Sequence, residues 1–130
     1  MRLKLLLALA LLAPAPLFAQ ADEQLRRAIQ RYENLEIEQA RAIFQQVISP
    51  SSPFPVTEAQ RVVAYKYLGA TMATLGIRDT AELYFMAAIG RDPLVDLDPR
   101  SFSEQERQVF LAALFARQRH GPHGQRRGQE

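Results

Sequence analysis

Apolar residues recur three and four positions apart over most of this chain, the spacing of one face of an α-helix. Leu25, Ala28, Ile29 and Tyr32 mark a first helix, and Leu35, Ile37, Ala40, Ile43, Phe44, Val47 and Ile48 mark a second. The stretch "ENLEIE" between them has room only for a tight turn, which predicts an antiparallel hairpin. Pro50, Pro53 and Pro55 then forbid helix and predict an extended run. Thr57, with Gln60 three residues on, is a capping-box pattern, so a third helix is expected from there to about Leu75, stopped by Gly76. Asp79 is the expected cap of a fourth helix, which carries Ala81, Leu83, Tyr84, Phe85, Ala88 and Ile89 and ends at Asp92-Pro93. "LVDLDPRSF" reads as a second extended connector. Ser103 and Glu106 repeat the capping box and open a fifth helix, with Val109, Phe110, Ala113, Leu114 and Arg117 on its inner face. No apolar–polar alternation is long enough for a strand, and the expected fold class is all-α.

The N-terminus changes the picture of what surrounds this domain. Arg2 and Lys4 precede an apolar run from Leu5 to Leu12 that continues to Phe18, and Ala19-Gln20-Ala21 offers a small-x-small pattern ahead of the polar Asp22. This predicts a signal peptide over residues 1–21 and a periplasmic or secreted protein. The run is shorter than the roughly 20 residues of a membrane-spanning helix. It also carries two prolines, Pro14 and Pro16, so no stable membrane insertion is expected after cleavage. All 14 acidic residues lie beyond residue 21 while Arg2 and Lys4 lie before it, so the formal net charge of +2 leaves with the leader. A nearly neutral exported body speaks against nucleic-acid binding, which needs a basic surface for phosphates. The chain has no Cys, so stability has to come from packing without disulfides. The helical domain is expected over residues 22–118, and the glycine-rich end, residues 119–130, as a disordered tail.

Little in the chain points to catalysis. His120 and His123 are the two histidines, both near the C-terminus, and no Ser-His-Asp set can be built from them in a pocket. Asp92, Asp96 and Asp98 alternate as oxygen ligands for a hard cation do, but they lack the glycine turn and closing Glu of a known loop. Tyr65, Tyr67, Tyr84 and Phe85, at helical spacing, read as core and not as a ligand box. No catalytic residue, metal site or cofactor is expected.

The third and fourth helices hold small and large residues in a particular order: Tyr65, Leu68, Gly69 and Met72, then Ala81, Phe85, Ala88 and Pro93. This order resembles the tetratricopeptide repeat, a helix-turn-helix of about 34 residues. The matching repeat spans about 62–95, with Met72 where the family has Tyr. Gly69 and Ala81 are small where the two helices cross, and Phe85 and Tyr65 fill the space beside that crossing. Residues 23–49 read as a divergent copy, with Ala40, Phe44 and Val47 in place and Ile29 where Gly is expected. The helix over about 103–118 reads as a cap for the last apolar face. The whole resembles short periplasmic or secreted bacterial proteins of this family, an α-solenoid fragment of antiparallel hairpins with a C-terminal capping helix.

The resemblance implies a concave groove, lined by the first helix of each repeat, that receives a peptide or helix from a protein partner. The matching positions here are Val63, Lys66, Ala70 and Ala73. In one subfamily a cation at the place of Lys66 clamps a C-terminal carboxylate, but Tyr67 and Ala70 replace the asparagines that accompany it there. The expected function is an exported interaction module or scaffold of the bacterial cell envelope. The alternative is a structural protein that associates with itself as a homodimer.

Overall fold

A computed structural model describes residues 16–120, and every regular element among them is an α-helix. In chain order these are α1 (Pro16–Glu33), α2 (Ile37–Ile48), α3 (Glu58–Thr74), α4 (Arg78–Arg91) and α5 (Glu104–His120). None of them is long and apolar enough to cross a membrane. Residues 1–15 of the expected leader lie outside the described residues, as do residues 121–130 of the expected tail. Residues 16–21 continue α1 upstream of its expected start, and Ala21 is fully buried in the core. At the other end α5 runs to His120, so Arg119 and His120 belong to a helix and not to the tail.

The helix ends follow from local backbone chemistry. Gly76, at φ 78°, sends its N–H to the Ala73 carbonyl (3.1 Å), while Ile77 N–H reaches Met72 (2.9 Å). That is the paired closure in which a left-handed residue consumes the last orphan carbonyls of a helix. The same closure ends α1, where Leu35 N–H donates to Tyr32 and Glu36 N–H to Arg31. Leu35 there holds φ 63° without the freedom of glycine, and its side chain is exposed. Thr57 caps α3 as expected: its hydroxyl accepts from Gln60 N–H (3.2 Å) and the Gln60 side chain accepts from Thr57 N–H (2.8 Å). Ser103 and Glu106 do the same for α5, at 3.2 and 2.9 Å. Asp79 is not the cap of α4. The turn at Gly76 delivers the chain directly into helix at Arg78, and Asp79 falls in the first turn, where its charge suits the helix dipole.

The core is one continuous cluster fed by all five helices. Gly69 lies directly over the Phe85 ring: a Cβ built on it would stand 2.4 Å from the ring, so α3 and α4 approach as closely as they do only because that carbon is missing. Tyr65, expected to fill beside this crossing, is half-buried and instead lies tilted against Tyr84 (6.2 Å), with the Arg91 guanidinium over it (4.7 Å). Helices α1 and α3 run side by side in the same direction. Gln60 Nε2 donates to Asp22 at 2.8 Å near their starts, and the Tyr32 and Tyr67 rings meet edge to face at 5.2 Å further along.

The direction of α5 is the feature that the apolar periodicity did not contain. Phe110 meets Phe85 edge to face at 5.4 Å, and the Arg117 guanidinium closes on Gly90, so α5 runs alongside α4 in the same direction. Its start lies at the far end of α3, where Gln105 Nε2 donates to the Ala73 carbonyl at 3.2 Å. Residues 92–103 therefore travel back along the length of α3 before α5 begins.

Candidate functional site: a cleft over α3 occupied by the 92–103 strap

The returning strap can be followed by its contacts. Val95 and Asp96 share a cavity of about 430 Å³ with Val62, Val63 and Lys66 of α3. Leu97, 3% exposed, is buried in the core cluster. The Phe102 ring, 4% exposed, lies 5.1 Å from Tyr67 and 5.9 Å from Tyr32. Tyr67 in turn stacks on Phe44 of α2 at 5.3 Å. The strap thus lies lengthwise over α1 and α3, with one aliphatic and one aromatic side chain sunk into a cleft floored by tyrosines.

Lys66 is the charge at this cleft. Its ammonium stands 5.7 Å from the Tyr67 ring centroid and 5.6 Å from that of Phe102, a distance at which a cation is attracted by a ring face. Burial pulls its pKa below the ordinary lysine value, and the Asp96 and Asp98 carboxylates of the strap act in the opposite sense. Asp98 is held below the usual carboxylate range chiefly by its hydrogen bond from Arg100, with Lys66 among the lesser causes. Strap and cleft are therefore complementary in charge as well as in shape.

At the far end, a cavity of about 750 Å³ opens between Tyr32, Thr74, Arg100, Phe102 and Glu106. Glu106 is 5% exposed, and its carboxylate accepts from the Ser103 N–H and from the Tyr32 hydroxyl. Burial first, and then this hydrogen bond, raise the Tyr32 pKa well above the ordinary tyrosine value. The pair fastens the start of α5, and with it the end of the strap, to α1.

Of the four residues expected to face a partner, Val63 and Lys66 are half-buried at the edge of the cleft. Ala70 and Ala73, at 0% and 2% exposure, belong to the core, and α5 begins against the carbonyl of Ala73. The structure places beside Lys66 a residue that helical spacing did not single out, Phe102, together with the strap carboxylates Asp96 and Asp98. The strap aspartates serve the backbone. Asp92, Asp96 and Asp98 accept from the N–H groups of Leu94 (2.9 Å), Leu97 (2.8 Å) and Arg100 (2.9 Å). Among the described residues no group of three or more His, Cys, Asp or Glu is placed to hold a metal ion. His120 lines a third cavity of about 500 Å³ with Met86, Ile89, Leu114 and Arg117, and His123 lies outside the described residues.

Comparison with family models, with curated proteins and with solved structures returns no match for this chain. The described residues define a class by geometry alone: a five-helix, all-α unit whose cleft holds a non-helical segment of its own chain.

Proposed function

We propose that the protein is an exported, tetratricopeptide-like interaction module of a bacterial cell envelope, which holds a segment of a protein partner in the cleft beside Lys66. The observation that carries this reading is the strap itself. A non-helical segment with two turns, two buried anchors and two carboxylates is already seated along α3, as a partner peptide would be held. The leader-like N-terminus and the repeat-like order around Gly69 and Phe85 support export and the helical scaffold. A photo-crosslinking residue placed at Val63, in the full chain expressed in a bacterium with its envelope intact, is expected to give one discrete adduct in the envelope fraction. Lys66→Glu is expected to reduce that adduct several-fold. Cytoplasmic recovery of the chain, or an adduct ladder indifferent to Lys66→Glu, would sink the reading.

A second reading, self-association, is favoured by one observation. Leu111 and Phe115, one turn apart on α5, are 48% and 58% exposed, and Leu83 on α4 is 66% exposed. If these residues join two copies, light scattering at micromolar concentration is expected to give twice the chain mass, and Phe115→Glu to return it to one. A strict monomer across that range removes this reading.

A further inference from the structure

The strap is longer than its path requires. It must travel from the end of α4 back to the start of α5, a distance set by the length of α3, about 25 Å at 1.5 Å per residue. Residues 92–103, fully extended, reach roughly 40 Å. The slack is stored in two turns. In the first, Val95 N–H closes on the Asp92 carbonyl (3.1 Å); in the second, Ser101 and Phe102 N–H close on the Asp98 carbonyl (both 3.0 Å). The α5 helix also has contacts with α4 that do not pass through the strap, in Phe110 on Phe85 and Arg117 beside Gly90.

What sits in the cleft also states what the cleft accepts. Leu97 is buried with Asp96 and Asp98 on either side of it, and five residues later Phe102 lies against both Tyr32 and Tyr67 beside the Lys66 ammonium. We propose that residues 92–103 act as a releasable internal ligand, and that the cleft takes from a partner a segment of the same chemistry and shape: an aliphatic residue flanked by carboxylates, then a turn that brings in an aromatic ring. This rests on the proposed binding function and names its ligand class and its gate. A tethered strap competes at an effective concentration of about millimolar, so the closed chain rejects weak segments and yields to those that outbid it.

The test uses the full chain and a synthetic peptide of its own residues 93–105. Asp96→Lys with Asp98→Lys in the chain alters exposed or half-buried strap positions and turns the strap's charge against Lys66. The peptide is expected to bind this variant about tenfold more tightly than it binds wild type, equivalent to about 1.4 kcal/mol. The gain is expected to vanish when Lys66→Glu is added to the chain, and equally when the peptide's phenylalanine is replaced by alanine. Hydrogen exchange is expected to rise in residues 92–103 of the variant while residues 104–120 keep their protection. Equal binding to wild type and variant overturns the proposal, as does loss of protection in α5 together with the strap, or exchange of whole α5 helices into a dimer. A chain that crosslinks at Val63 in cells yet fails the peptide test sinks this inference alone. One that takes the peptide but forms no envelope adduct sinks the envelope function and leaves the cleft standing.

Discussion

Phe85→Ala is expected to lower the free energy of unfolding by about 3–5 kcal/mol, the range for emptying a fully buried phenylalanine site. The ring is completely buried, lies under Gly69 on one side and meets Phe110 edge to face on the other, so it couples α3, α4 and α5 at one point. Collapse around the vacancy is limited, because the residue opposite is glycine and has no side chain to move in. Net stabilities of small domains are about 5–15 kcal/mol, so a loss of this size takes a large share of the total. Denaturant titration of the two proteins measures it through the midpoint at constant slope. A loss under about 1 kcal/mol would mean that Phe85 is not the joint between the hairpin and α5.

Tyr32→Phe is the second large effect, and it has a signature in pH. Removing the hydroxyl takes one donor from a buried carboxylate, and hydrogen bonds to charged groups contribute about 1.5–3 kcal/mol. Folding holds Tyr32 neutral, with its pKa raised above the ordinary value of 10.0. A group raised in this way contributes stability that is complete below the unfolded pKa and is lost as pH climbs above it. Wild type is therefore expected to lose stability more steeply than Tyr32→Phe above about pH 10, the ordinary tyrosine value. Tyr67 is raised in the same sense and Lys66 is lowered, so both shape the alkaline limb, but they are common to the two proteins. The difference between the curves reports Tyr32 together with its interaction with Tyr67. Parallel curves across this range would show that its hydroxyl does not hold Glu106.

How much of this was legible in the sequence depends on the range of the interactions involved. Helix positions and most ends were readable because they are local: Thr57 with Gln60 and Ser103 with Glu106 complete their boxes within one turn, and Gly76 is the one glycine of the described chain with a left-handed backbone. A crossing at Gly69 and Ala81 with Phe85 beside it was readable from the order of small and large residues, but not that the Phe85 ring lies directly on Gly69. The direction of α5 was not, because nothing inside "LVDLDPRSF" says over which surface it travels. That path is decided by Tyr32 and Tyr67, which lie far away in sequence and together offer Phe102 a surface to pack on. The same nonlocality explains the candidate site. A repeat register could point to Val63 and Lys66 but could not reveal that Ala70 and Ala73 are buried, nor that the chain fills its own cleft. Glu106 was legible as a capping residue. Its second duty, accepting from Tyr32, spans most of the domain and leaves no periodic trace.

The parallel course of α4 and α5 also bears on how such a chain can change over evolutionary time. Helical arrays lengthen when a hairpin is copied and the copy continues the stack in the same sense. A copy inserted after Arg91 would carry the strap away from Lys66 and Tyr67 and leave their cleft bare, so each step of growth on that side would have to rebuild the closure at once. Hairpins added ahead of α1 would leave Tyr32, Tyr67, the strap and Phe102 in register. Lengthened descendants of this architecture are therefore expected to carry their extra hairpins ahead of α1, with the closing segment preserved as their last piece.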